Sequence, residues 1–202
     1  MKLFGILALL LLPAALLAQS PAAAQGGEAS LWAGGEFSTF NPAWHCHSVS
    51  PFQCWNSQLM GPTAFFDFNV GRKWGAEGEA RWLNWNGQGL KISSYLVGGR
   101  YRIVRFQRLT GWARLLMGGG WIQEPNYPQA GTLKGSFFVY APGGTVEYPL
   151  WHRLALRGDY EYQIWPSFYE SPTYSNGILV QHNHGLTVDG FSLGVTYRIL
   201  EQ

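Results

Sequence analysis

The stretch from Gly190 to Ile199 alternates without a break. Phe191, Leu193, Val195, Tyr197 and Ile199 are large and apolar, while Gly190, Ser192, Gly194, Thr196 and Arg198 are small or polar. A period of two is the signature of a β-strand whose two faces meet different surroundings. One face of this strand meets something apolar, and the other meets a polar or tightly packed space. Whatever fold the chain adopts must supply both environments along the length of a strand.

The same pattern recurs along the chain. It predicts about eight strands, near 29–40, 63–73, 77–85, 91–103, 111–122, 136–148, 153–165 and 186–200. In the second, Ala64, Phe66, Phe68 and Val70 oppose Phe65, Asp67, Asn69 and Gly71. In the seventh, Leu154, Leu156, Tyr160, Tyr162 and Ile164 oppose Ala155, Arg157, Asp159, Glu161 and Gln163. In the sixth, Phe138, Tyr140, Val146 and Tyr148 oppose Val139, Ala141, Thr145 and Glu147. Pro142 lacks a ladder donor, so a bulge or local break is expected there.

The leading segment reads differently. Lys2 precedes an apolar run from Leu3 to Leu17, followed by Ala22-Ala23-Ala24. This is the pattern of a secretory signal peptide cleaved after Ala24, too short in its apolar run for a spanning helix. Residues 25–202 then form one domain. Export carries the chain into oxidising surroundings, so Cys46 and Cys54 are expected to form a disulfide closing a short loop.

Parity alone does not say which face points inward. Four observations favour a closed barrel with lipid outside. Only 13% of residues are charged while 16% are aromatic, which suits an exterior solvated partly by lipid. The charged face mixes both signs: Glu36, Asp67, Glu79, Arg81, Arg100, Arg114, Glu147, Arg157, Asp159, Glu161 and Arg198. Joins near Trp74, Arg105 and Trp151 are tight, whereas those around 46–54, 124–134 and 166–184 are long, the join near Gly87 being the exception. That inequality is typical of transmembrane barrels. Aromatics near strand ends form two expected belts, with Trp82, Trp85, Trp121, Tyr162 and Trp165 on the long-loop side and Trp74, Tyr101, Tyr148 and Trp151 on the other.

Ser192-Leu193-Gly194-Val195-Thr196-Tyr197-Arg198-Ile199 resembles the C-terminal signal read by the outer-membrane barrel assembly machinery. Within it, Ser192, Gly194, Tyr197 and Ile199 are the matching positions. Val97-Gly98-Gly99-Arg100-Tyr101-Arg102 and Trp112 to Gly120 are similar to the middle hairpin of small outer-membrane β-barrel proteins of the OmpA and opacity-protein type. The resemblance implies an all-β, up-and-down, antiparallel eight-stranded transmembrane barrel in the outer membrane of a Gram-negative bacterium. It also implies outer-leaflet lipid or lipopolysaccharide and the assembly machinery as partners. The chain departs from the pattern in ending Leu200-Glu201-Gln202 instead of on an aromatic, and no peptidoglycan-binding domain follows.

An eight-stranded barrel is just wide enough inside to be filled by side chains. Arg81, Arg114, Arg157 and Arg198 are therefore expected to pair with Glu36, Asp67, Glu79, Glu147, Asp159 and Glu161 in a packed, charged lumen. A narrow ion path is the alternative. His45 and His47, with His182 and His184, sit in loops brought together by barrel closure, but their spacing matches no metal motif, and no cofactor is implied. Ser175-Asn176 matches part of the His-x-Ser-Asn segment of lipid A deacylases. Thr173 stands where the activating His is needed, and His47 and Ser48 give no spacing signal for an acyl transferase, so no catalytic residue is assigned. The net charge of +2 is too small to argue for nucleic acid. Pro125, Tyr127, Pro128, Phe168, Tyr169 and Tyr174 make the outer loops candidate contact surfaces for an extracellular partner. The expected role is envelope stabilisation or surface interaction.

Overall fold

Alternation of apolar and polar residues builds long antiparallel strands, and their number closes the sheet. The computed structural model describes residues 29–42, 58–85, 90–123, 134–168, 173–175, 178–180 and 185–201. The strands are β1 (Ala29–Pro42), β2 (Leu59–Val70), β3 (Trp74–Leu83), β4 (Lys91–Phe106) and β5 (Leu109–Gln123). They continue as β6 (Lys134–Pro149), β7 (Leu154–Trp165), β8 (Thr173–Ser175), β9 (Ile178–Val180) and β10 (Leu186–Glu201). β1 to β7 and β10 form one closed barrel in the order β1-β10-β7-β6-β5-β4-β3-β2, every pair antiparallel. β8 and β9 form a separate two-stranded hairpin within the connection from β7 to β10.

Closure removes the sheet edges, which is what allows strands to cross a bilayer with every backbone group satisfied. The first and last strands meet along nearly their whole length, from Pro42 opposite Val188 to Ser30 opposite Glu201. Gly194 lets them approach: a Cβ there would strike Gly35 O and the Glu36 side chain. The joins β2–β3, β4–β5 and β6–β7 are short. Gly71 takes a positive φ of 63° in the first and Gln107 a φ of 51° in the second, the left-handed geometry that tight turns require. The ladder between β6 and β7 skips Ala141 and Pro142 but resumes in the same register, Tyr140 opposite Ile164 and Gly143 opposite Glu161. Pro142 thus makes a local break and no bulge.

The outward face is greasy. Phe66, Tyr95, Val97, Leu115, Met117, Phe138, Leu156, Tyr160, Phe191, Leu193, Val195 and Tyr197 are all exposed on it. Trp74 packs on Tyr101 with ring centroids 4.7 Å apart on the short-turn side. Trp82 packs on Tyr95 at 6.1 Å and donates to its hydroxyl at 3.1 Å. Such amphipathic rings suit the headgroup levels. Trp165 is an exception to the expected belt: it is fully buried inside the barrel.

Candidate functional site: a lumen in tiers

The inward face is not uniform. Its middle tier is ionic. β3 supplies Glu77, Glu79 and Arg81, β4 Arg100, β5 Arg114, and β7 Arg157, Asp159 and Glu161. Glu36 comes from β1, Asp67 from β2 and Glu147 from β6. The same parity that sends Phe66 and Tyr160 to lipid sends these groups inward.

Each arginine bridges several strands. Arg114 contacts Glu77, Glu79 at 3.1 Å, Asp159 at 3.4 Å and Glu161 at 2.7 Å. Arg157 contacts Glu36 at 3.0 Å, Asp67 at 2.7 Å, Glu77 at 2.6 Å and Asp159 at 3.0 Å. Arg81 holds Glu79 at 2.8 Å and Glu161 at 2.5 Å. Arg100 holds Asp67 and, at 2.5 Å, Glu147, which also accepts from Trp112 Nε1 at 3.0 Å. Glu77 is the hub, reached by Arg100, Arg114 and Arg157. The guanidinium planes find aromatic faces as well: Arg157 lies 3.8 Å over Phe65, Arg100 4.0 Å over Trp112 and Arg81 4.2 Å over Phe40. The planar, forked guanidinium serves carboxylates with its edge and aromatic rings with its face.

Glu77 is absent from the charge set expected from sequence, although it shares its face with Glu79 and Arg81; parity alone was enough to include it. Arg198 is in that set but takes no part in the central network. It pairs with Glu201 and lies 4.6 Å over Trp32, because it stands near the end of β10, at the short-turn mouth of the barrel.

Oxygens of Glu77, Glu79 and Asp159 converge within 4.8 Å of one another, which has the look of a cation site. Arg114 contacts all three, so a guanidinium already occupies the role of the cation. The expected disulfide between Cys46 and Cys54 and the histidines His45, His47, His182 and His184 lie outside the described residues.

Above the ionic tier, toward the long connections, the lumen becomes apolar. Phe40, Leu59, Leu83, Leu90, Ile92, Leu116, Ile122, Val139, Trp165, Phe168, Leu186 and Val188 form one buried cluster, with Phe137 against it. Gly120 makes room for Trp165: a Cβ there would run into the indole ring. Gln163 couples the two tiers, donating to Glu161 at 2.7 Å and accepting from Trp165 Nε1 at 3.1 Å. This plug was not anticipated from sequence, and Phe168, expected on an outer contact surface, is buried in it against Phe137. Below the ionic tier the lumen widens into a cavity of about 380 Å³ at the short-turn end.

Ser192 and Gly194 of the assembly-signal pattern face or border the lumen, Ser192 bonding Ser38 at 2.7 Å. Tyr197 and Ile199 face outward and are exposed.

No curated protein matches this chain in sequence. Solved structures do match in fold. Ail, the attachment invasion locus protein of Yersinia pestis, is 16% identical over 87% of this chain and 100% of its own, with a TM-score of 0.50. OprG of Pseudomonas aeruginosa is 12% identical over 86% and 96%, with a TM-score of 0.56. Neisserial surface protein A is 9% identical over 84% and 97%, with a TM-score of 0.52. The family model of the outer membrane protein beta-barrel domain matches residues 9–198. With the family model spanning nearly the whole sequence and the closed eight-stranded architecture in hand, the chain belongs to the outer membrane protein beta-barrel domain family, whose place is the bacterial outer membrane.

Proposed function

We propose that the protein is a sealed, non-catalytic outer-membrane scaffold that stabilises the envelope and presents its long connections to outside partners. The observation that carries this reading is the double closure of the lumen. An interlocked arginine–carboxylate tier lies beneath an apolar plug, and each spans the barrel interior. An interior filled in this way supports a structural role over a conducting one. The long connections beyond the plug, 43–57, 124–133 and 169–184, are then the parts left to carry interactions, as loops on rigid scaffolds commonly do.

On this reading residues 1–24 direct export, and Ser192, Gly194, Tyr197 and Ile199 are read by the assembly machinery. The outward aromatic band sits in outer-membrane lipid, with lipopolysaccharide at its outer rim. Ser175 has no assigned activating base, so lipid A is a neighbour and not a substrate. Mass spectrometry of lipid A is expected to be identical with and without the protein.

The test is complementation. Cells lacking the protein are supplied with the wild type or with a variant whose segments 43–57 and 170–184 are replaced by short turns. An envelope role carried by the barrel predicts that both restore detergent resistance. A loop-borne role predicts that only the wild type restores it or captures a surface partner. Unchanged resistance and unchanged surface binding in the deletion strain, or an altered lipid A mass, would reject the reading.

A further inference from the structure

The short-turn end of the barrel is strongly basic. Arg72 and Lys73 stand in the β2–β3 turn, Arg105 and Arg108 at the β4–β5 turn and Arg153 in the β6–β7 turn, with Arg102 and Arg198 just inside. The acids lining the cavity at that end are already engaged. Glu147 is held by Arg100 and Trp112, and Glu201 by Arg198. Arg102, Arg105 and Arg108 make no ion pair among the described residues, yet all three line that single cavity. Arg198 adds a buried Nε with no hydrogen-bond partner. Turn residues Gln107 and Arg108 line it together with Ser30 and Glu201 of other strands, so the space is a blind vestibule under the ionic tier.

The geometry points to a phosphate-binding vestibule at the periplasmic mouth, formed by Arg102, Arg105, Arg108 and Arg198. Guanidinium forks match phosphate oxygens edge to edge, and several forks converging on one space offer more donors than a single carboxylate can accept. Arg102 lies 5.7 Å over Trp112 and Arg198 4.6 Å over Trp32, half-buried at the base, while Arg105 and Arg108 are exposed at the rim where a ligand would enter. The ligand is a phosphate-bearing anion, either a soluble one from the periplasm or a lipid headgroup reaching over the rim from the inner leaflet.

Calorimetry on the full chain in zwitterionic nanodiscs, with inorganic pyrophosphate as the soluble probe, tests this directly. A parallel arm compares protein in nanodiscs of phosphatidylcholine alone with nanodiscs containing phosphatidylglycerol, reading lipid retention. The triple variant R102Q/R105Q/R108Q is expected to lose about tenfold or more in affinity. The variant R72Q/K73Q/R153Q removes the same charge outside the cavity and is expected to change it by no more than about twofold. Both must show heat-modifiable migration, which establishes that the barrel is folded. Saturable pyrophosphate binding lost only in the first variant assigns a soluble ligand. Phosphatidylglycerol retention lost only in that variant, without pyrophosphate binding, assigns a headgroup. No binding in either arm, equal loss in both variants, or acetate binding as tightly as pyrophosphate would overturn the proposal.

Discussion

Arg114 and Leu116 stand two residues apart on the same face of β5, and both are buried in the same lumen. One sits among four carboxylates and the other in an apolar cluster. The barrel is thus closed twice by unlike physics. The ionic tier is directional and shared, so each member depends on the geometry of several others. The apolar tier is a conventional core, whose strength follows area and volume. The difference teaches that a narrow barrel needs its interior filled and its polar groups met, and that either chemistry accomplishes this.

The sharpest break in that comparison is Arg114→Met. It removes the one cation common to Glu77, Glu79, Asp159 and Glu161, leaving the first and third to Arg157 and the other two to Arg81, and a loss of about 3–5 kcal/mol is expected in urea unfolding from liposomes. Leu116→Ala removes buried methyl groups without stranding a charge; about 3 kcal/mol is expected from transfer and cavity terms in the same assay. Gly120→Ala is smaller still. Its added methyl must displace Trp165, costing about 1–3 kcal/mol by overpacking. The smallest effect belongs to Phe65→Leu, which keeps apolar contact but takes the ring from beneath Arg157. About 1 kcal/mol is expected, measured against an Arg157→Lys background to isolate the stacking. Equal losses for Arg114→Met and Phe65→Leu would show that the ionic tier is not shared as described.

How much of this was legible in the sequence follows from where alternation is clean. In β2, β7 and β10 one parity is apolar and the other charged or small, so lumen and lipid faces separate by inspection. Glu36, Asp67, Glu79, Arg81, Arg114, Arg157, Asp159 and Glu161 are readable as one inward set for that reason. Depth was harder to read than direction. Arg198 has the right parity but lies at the mouth, where Glu201 is its nearest carboxylate. In β5 the upper plug leaves no alternation to read: Leu116 is flanked by Leu115 and Met117, and Ile122 follows Trp121, so both faces are apolar. Trp165 looked like a belt residue because aromatics at strand ends usually are. Its parity, shared with Arg157, Asp159, Glu161 and Gln163, turns it inward, and Gly120 leaves the space for its ring. Three of the vestibule's arginines, Arg102, Arg105 and Arg108, stand within one hairpin and were open to view; the cavity beneath them was not, because its far wall, with Ser30, Glu201 and Arg198, is brought there by barrel closure.

The account rests on the lumen being sealed, and single-channel recording of the purified wild-type protein in planar bilayers tests that most directly. Two stacked tiers predict no stable conductance above that of the bare membrane, at either polarity. A steady, ohmic conductance that scales with the number of inserted barrels would contradict it.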